Sequence, residues 1–175
     1  MLTNEQTQPH WRRLTATLDA QKHLPELLAL FDAVRCAEHC SPRKVNALMV
    51  KHVRENGNPV PQSAIIKAYE ELTAQGVIPF EPALFERLRL KPTRTISGVA
   101  PVAVLTGPYP CPADCIFCPE AKGYPRSYLP DEPAVQRAKR ARFNPFKQTR
   151  ARIQALDNMG HPTDKIELLV VGATW

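Results

Sequence analysis

Two apolar segments joined by a long connection constrain the fold of this 175-residue chain more than any other feature. Val99 to Thr106 is a continuous apolar run, and Lys165 to Val171 is a second one. Such runs suit strands that are buried on both faces of a parallel sheet. Between them, Asp131 can cap a helix that has Pro133 in its first turn, and Pro145 opens another helix. This order predicts a right-handed βαβ unit.

Three cysteines, Cys111, Cys115 and Cys118, follow the first apolar run. The C-x3-C-x2-C spacing lets three thiolates converge on an iron–sulfur cluster, with one iron left without a protein ligand. A zinc site is the alternative, although zinc sites usually combine C-x2-C pairs and only one such pair is present. A disulfide framework is disfavoured because the chain has five cysteines, an odd number, and no secretory signal.

The ends of the two predicted strands are expected to meet. Chemistry on parallel barrels lies at the carboxyl ends of the strands, and the cysteine loop follows one such end. Gly172, Ala173 and Thr174 follow the other. The cysteine loop and this short segment are therefore predicted to be neighbours.

Residues 1 to about 90 have the pattern of a helical module. Ser41 is predicted to cap a helix that has Pro42 at its first position, and Gly57 is predicted to stop it. Further helices are expected from Ser63 to Gln75 and near Pro82 to Leu90. A helical region followed by a βαβ unit gives an α + α/β fold class.

Basic residues indicate an anionic partner, in keeping with a net charge of +6. At roughly 100° per residue, four bases of the Ser41 helix fall within about a quarter-turn of one another. From Glu132 to Asp157 there are seven bases and no acid between these two residues. The candidate phosphate contacts are Arg43, Lys44, Lys51, Arg54, Arg137 and Arg140. A solvated helix face is the alternative for each of them. Phe143 and Phe146 are predicted to pack in the core, with stacking on a flipped base as the alternative.

Composition also limits the class of protein and its expected location. A hydrophobic content of 43% supports a packed core, and no apolar run reaches the length of a membrane span. The cytoplasm is the expected location, without a membrane partner. Two strands do not cover a parallel sheet, so the chain is expected to be the amino-terminal part of a longer protein. A small complete α/β protein is the alternative, although its last strand would be an exposed edge.

The stretch from Lys91 to Trp175 resembles the radical S-adenosylmethionine domain of the elongator catalytic subunit family. Its landmarks are RTISGVAPVAV before the cysteines, YLPDEPAVQRA and FNPFKQTRARI after them, and GHPTDKIE before the second strand. Residues 1–90 resemble the tRNA-binding amino-terminal domain of that family more loosely. The resemblance implies a helical tRNA-binding domain over 1–90. Over 91–175 it implies the first βαβ portion of a truncated partial TIM-type barrel, with an acetyltransferase domain absent.

The resemblance also implies cofactors and site residues. Cys111, Cys115 and Cys118 match the ligands of a [4Fe–4S] cluster, and Gly172, Ala173 and Thr174 match the strand end that contacts S-adenosylmethionine. Ala173 departs from the family, in which many members have two glycines here. In the family, a 5′-deoxyadenosyl radical activates acetyl-CoA, and the product adds to C5 of the wobble uridine of tRNA, a carboxymethyl-type modification. No catalytic residue follows from the match, and this portion is expected to be inactive alone.

The implied partners are tRNA and the carboxy-terminal remainder of the same protein, and a second copy or accessory subunits are further candidates. Two other functions stay open from the residues themselves. The cysteine loop alone allows a radical S-adenosylmethionine enzyme with another substrate. The basic helices alone allow a non-catalytic zinc- or RNA-binding module.

Overall fold

The computed structural model describes residues 18–172. Within this range the chain has a mixed α/β fold with six α-helices and two sheets of two strands each. The chain divides into two compact units. The first contains the described residues up to Thr93 together with Asn158–His161, and the second contains Arg94–Asp157 and the residues from Pro162 onward. None of the described helices has both the length and the apolar character needed to cross a bilayer.

The first unit is built from four helices around an apolar core. They are α1 (Leu24–Arg35), α2 (Pro42–His52), α3 (Gln62–Ala74) and α4 (Pro82–Leu88). The predicted start of α2 is confirmed, because Ser41 Oγ accepts a hydrogen bond from the backbone N–H of Lys44 at 3.3 Å. Tyr69 lies at the centre of the core. Its ring contacts Phe31 edge-on at 5.2 Å between centroids and stacks with Phe85 at 5.9 Å.

The end of α2 differs from the prediction. The helix ends at His52, and β1 (Arg54–Glu55) and β2 (Asn58–Pro59) form a short antiparallel hairpin. Asn56 and Gly57 connect the two strands and both have positive φ, 50° and 79°. These angles and this residue pair are those of a type I′ turn. Gly57 is therefore a hairpin residue, and the prediction that it stops the helix is wrong.

The second unit contains the predicted βαβ arrangement. Its elements are β3 (Ala100–Leu105), α5 (Pro133–Arg140), α6 (Pro145–Asp157) and β4 (Ile166–Val171). The two strands pair in parallel, in a register that runs from Ala100 opposite Ile166 to Leu105 opposite Val171. The βαβ order is thus confirmed. A partial barrel stays a prediction, because the described sheet has two strands.

Burial in this unit departs from the sequence pattern at several positions. Four of the six β3 residues are buried, but the β4 side chains are largely exposed, so β4 is not buried on both faces. The N-cap of α5 is Glu132 rather than Asp131. Phe146 is 71% exposed, so its prediction as a core residue is wrong. Phe143 does pack against the apolar cluster under β3.

Candidate functional site: the cysteine loop and the basic surfaces

The cysteine loop leaves β3 at a point that Gln148 of α6 holds in place. The backbone N–H of Leu105 donates to Gln148 Oε1 at 3.0 Å, and Gln148 Nε2 donates to the carbonyl oxygen of Leu105 at 2.9 Å. The next residue, Thr106, donates its N–H to Val171 O of β4 at 3.0 Å. Successive residues in a strand point these groups to opposite edges. Buried Gln148 therefore takes the place of a second neighbouring strand.

The carboxyl ends of the two strands meet closely at Gly172. A Cβ added to Gly172 would lie 2.3 Å from Thr106 Oγ1, a distance at which side chains overlap. Glycine is therefore the residue that fits beside Thr106 without a shift of the strand end. Of the segment predicted to bind S-adenosylmethionine, Gly172 is in the structure, and Ala173 and Thr174 lie outside the described residues.

The three cysteines lie on an irregular loop between β3 and α5. The backbone N–H of Cys118 donates to Cys115 O at 3.0 Å, which forms one tight turn, and Cys118 Sγ lies 3.3 Å from Ser127 Oγ. Cys115 is exposed, and Cys111 and Cys118 are half-buried. Among residues 18–172, no three His, Cys, Asp or Glu side chains are grouped closely enough to hold a metal ion. The loop thus supplies three soft thiol donors that suit iron–sulfur or zinc chemistry, without bringing the three together in this conformation.

Arg126 cross-links the cysteine loop. Its Nη1 donates to Ala113 O at 3.0 Å and lies 3.3 Å from Asp114 Oδ1, and its Nη2 lies 3.2 Å from Glu120 Oε2. The hydrogen bond to Asp114 and the charge of Glu120 raise the pKa of Arg126 above its ordinary value. These partners lie on both sides of the Cys115–Cys118 turn, so one side chain fixes both flanks. Sequence reasoning missed this residue, although an arginine among two acids in a thiol loop was a usable signal.

Two tyrosines connect the loop to α5. Tyr124 and Tyr128 pack against the apolar cluster that contains Leu105 and Val135. Lys139 of α5 hydrogen-bonds to the Tyr124 hydroxyl, and its Nζ lies 4.9 Å from the centroid of the Tyr124 ring. The end of the loop is therefore anchored, whereas its tip is open, with Phe117 92% exposed.

An apolar cavity of about 350 Å³ lies beside the base of the loop. Residues from the ends of β3 and β4 and from the start of α6 line it, among them Val104, Gly107 and Leu168. Because the lining is mostly apolar, the cavity offers few groups that would hold a charged cofactor. The polar groups of this region are on the loop and at the strand ends instead.

The candidate phosphate contacts of the first unit separate into two groups. Arg43, Lys44 and Lys51 are exposed on α2. Arg54 is not on the helix: its Nε donates to Val50 O at 3.1 Å and its Nη1 to Gly57 O at 3.3 Å. The prediction that all four bases share one helical face is therefore wrong for Arg54, which stabilises the helix end and the hairpin.

The candidate contacts of the second unit belong to a larger set of arginines. Burial and the charges of Arg94 and Arg140 lower the pKa of Arg137 from its ordinary value. Burial and the charges of Arg94 and Arg137 lower the pKa of Arg152 in the same way. Sequence reasoning selected Arg137 and Arg140 and counted Arg152 among the seven bases of this segment, but it missed Arg94, which lies before β3.

The chain is similar to proteins named tRNA uridine(34) acetyltransferase and Elongator complex protein 3. No protein-family model matches the chain. A tRNA uridine(34) acetyltransferase of Dehalococcoides mccartyi is 52% identical over 85 residues, 49% of this chain and 18% of the relative. Elongator complex protein 3 of Homo sapiens is 40% identical over 107 residues, 55% of this chain and 20% of the relative.

A third relative extends the similarity across both units. Elongator complex protein 3 of Dictyostelium discoideum is 36% identical over 148 residues, 76% of this chain and 25% of the relative. At these identities, the matched part of the chain belongs to the family of tRNA uridine(34) acetyltransferase and Elongator complex protein 3. The chain spans between 18% and 25% of the length of these three relatives.

Proposed function

We propose that this chain is part of an enzyme that modifies the wobble uridine of tRNA at C5 by radical S-adenosylmethionine chemistry, with acetyl-CoA as co-substrate. One observation carries the proposal. The three-thiol loop leaves the carboxyl end of a parallel strand beside Gly172, in a chain that is 52% identical to a tRNA uridine(34) acetyltransferase over 85 residues. A thiol loop at this end of a parallel sheet is where α/β folds of this kind place their chemistry.

Each part of the loop has a role in this proposal. Cys111, Cys115 and Cys118, as thiolates, would hold a [4Fe–4S] cluster, which together with S-adenosylmethionine supplies one-electron chemistry when bound. The chain's own residues position that site. Arg126 fixes the flanks of the Cys115–Cys118 turn, and Gln148 fixes the strand end from which the loop departs. Gly172 leaves the neighbouring strand end free of a side chain.

The exposed bases supply the proposed tRNA contacts. In the described part of the chain, no hydrogen bond or ion pair engages the side chains of Arg43, Lys44 and Lys51, so their charges face solvent. Lys and Arg that neutralise backbone phosphates release counterions and bind RNA without reading its sequence. These three side chains, together with Arg137 and Arg140, are the proposed phosphate contacts.

Anaerobic reconstitution with iron and sulfide tests the metal part of the proposal. The chain is expected to bind about four irons, and its electron paramagnetic resonance spectrum should change when S-adenosylmethionine is added. Cys111→Ser, Cys115→Ser and Cys118→Ser should each lose iron. Cys36→Ser and Cys40→Ser are matched controls, because these thiols lie outside the loop, and they should retain it. Equal iron in all five variants contradicts the proposal, and zinc retained in place of iron with the same cysteine dependence indicates the zinc module.

A binding measurement with RNA tests the proposed tRNA contacts of α2. Combined Arg43→Ala, Lys44→Ala and Lys51→Ala substitutions should weaken binding of a tRNA anticodon stem-loop and lower the salt slope by up to about three, roughly one for each lost contact. Lys67→Ala is the control, because Lys67 is an exposed base on a different helix of the same unit. Binding that is unchanged in the triple variant, or weakened as much by the control, removes α2 from the tRNA interface.

A further inference from the structure

Ser127 has a backbone conformation that serine rarely adopts. Its φ is 73°, and it is the third residue of a turn in which the backbone N–H of Tyr128 donates to Pro125 O at 3.3 Å. A positive φ at this position of a turn is typical of type II turns, where the residue is usually glycine or asparagine. Serine therefore has a conformational cost here that glycine would avoid.

This strained turn places the Ser127 hydroxyl against a predicted cluster ligand. Ser127 Oγ lies 3.3 Å from Cys118 Sγ, and the backbone N–H of Ser127 donates to Pro119 O, also at 3.3 Å. Ser127 thus contacts Cys118 and the residue after it through both its side chain and its backbone. The neighbouring Arg126 donates to Ala113 O on the other flank of the cysteine turn.

The direction of the hydrogen bond between Ser127 and Cys118 depends on the state of the sulfur. Either atom can donate while Cys118 is a thiol. A thiolate, the form that binds a metal, has no proton, so its sulfur accepts and the Ser127 hydroxyl must donate. A second polar neighbour of Cys118 Sγ, the carbonyl oxygen of Pro119 at 3.8 Å, has no proton to give. Ser127 is therefore placed to hydrogen-bond to Cys118 in its charged state.

We propose that Ser127 is a positioning residue for Cys118, and that its hydroxyl donates to the ligand sulfur when a [4Fe–4S] cluster is bound. This role for Ser127 rests on the proposed function. Hydrogen bonds to the sulfur atoms of a cluster favour its reduced state, because they stabilise the added negative charge. Groups that hydrogen-bond to a metal ligand also orient it and strengthen metal binding. Ser127 should thus make the cluster both easier to reduce and harder to lose.

Variants of the full chain separate the effect of the hydroxyl from that of the backbone conformation. Ser127→Gly removes the hydroxyl and adopts the positive φ without strain, whereas Ser127→Ala removes the hydroxyl and keeps the Cβ. Ser97→Gly is the matched control, because Ser97 is exposed and lies before β3, outside the cysteine loop. After anaerobic reconstitution with iron and sulfide, the rate of iron release to a chelator and the reduction potential are measured. Thermal unfolding of the metal-free chains compares the strain in the turn.

Both Ser127 variants should release iron about tenfold faster than the unchanged chain, and their clusters should be reduced at a lower potential. Ser97→Gly should match the unchanged chain in both measurements. Without metal, Ser127→Gly should melt at a higher temperature than Ser127→Ala, because glycine adopts a φ of 73° without strain. Faster iron release from Ser127→Gly is then an effect of the missing hydroxyl and not of a distorted turn.

If iron release and reduction potential in Ser127→Gly equal those of the unchanged chain, the proposal is overturned and Ser127 is a turn residue only. An equal change in Ser97→Gly overturns it as well, because the effect is then not specific to Cys118. Both results leave the proposed function standing, since the unchanged chain still binds iron. Failure of the unchanged chain to bind iron instead removes the proposed function, and the role of Ser127 with it.

Discussion

Helices of the two units differ in how their arginines are partnered. In the first unit, Arg35 pairs with the carboxylate of Glu81, with Nη2 2.6 Å from Oε1 and Nε 3.1 Å from Oε2. Arg87 donates to backbone carbonyls at the end of α1. In α5 and α6 of the second unit, Arg137 and Arg152 form no ion pair in the described part of the chain, although Arg126 of the cysteine loop does. Arginines with partners inside the fold are part of the scaffold, whereas those without one are available to a ligand.

The difference shows why charge alone does not locate a binding surface. Both units are rich in basic residues, but the number of bases says nothing about which of them already have partners. The partner is set by the tertiary structure, and a charge that is already compensated contributes little to the attraction of an external anion. If the contrast holds, removal of an arginine with partners should destabilise the fold, whereas removal of an exposed one should not.

Replacing Arg87 with methionine should produce the largest loss of stability. Its Nη1 donates to three carbonyl oxygens, those of Val34 at 2.8 Å, Arg35 at 3.1 Å and Ala37 at 3.1 Å. Loss of a charged donor leaves these groups at the α1 terminus without their partner, so we expect the free energy of unfolding to fall by about 2–3 kcal/mol. Urea denaturation followed by circular dichroism measures the change.

The matched control for this substitution is Arg43→Met. Arg43 is exposed on α2, so its replacement should change the free energy of unfolding by less than about 0.5 kcal/mol. If Arg87→Met is as mild as Arg43→Met, the first unit does not depend on its partnered arginines, and the contrast between the units fails.

Gln148→Leu should have a slightly smaller effect in the second unit. It leaves the N–H and the carbonyl oxygen of Leu105 without their partner beneath α6. The expected cost is about 2 kcal/mol, the range for unpaired buried polar groups. Hydrogen exchange at the Leu105 amide should accelerate as well. Gln154→Leu, an exposed glutamine on the same helix, should leave this amide protected, and equal protection in both variants would show that Gln148 does not hold the strand end.

The sequence predicted the helices and strands well, but it predicted the hydrogen-bond partners of individual side chains poorly. Alternation of strand and helix signals was sufficient to find β3, α6 and β4, because those signals are local. Gln148 bonds to a residue 43 positions away, and Arg87 to carbonyls about 50 positions away, so neither contact has a local signature. The hairpin at Asn56 and Gly57 is different. Its Asn-Gly pair was a readable turn signal, but the prediction read it as part of a loop and extended helical periodicity to Arg54, past the helix end at His52.

Gly172→Ala tests the close approach of the two strand ends. The new Cβ would lie 2.3 Å from Thr106 Oγ1, so one strand end must shift, at an expected cost of about 1–2 kcal/mol. Thr106→Ala removes the atom that is too close. In the Thr106→Ala background, Gly172→Ala should therefore lower the free energy of unfolding much less than it does in the unchanged chain. Additive losses in this double-mutant cycle would mean that the two residues do not compete for space.

Protonation of Glu81, the carboxylate partner of Arg35, gives the smallest expected effect. The hydrogen bond from Arg35 lowers the pKa of Glu81 below its ordinary value. The stability that the pair contributes is therefore present above the ordinary carboxyl pKa and is lost as pH falls through the lower folded value. The free energy of unfolding of the unchanged chain should exceed that of Glu81→Gln at neutral pH, and the difference should shrink in acid. It should be small, because the pair is exposed and screened. Because Arg152 forms no ion pair in the described residues, the effect of Arg152→Gln on the free energy of unfolding should not change over the same acidic range. An acid-dependent step there would reveal a carboxylate partner and erase the difference between Arg35 and Arg152.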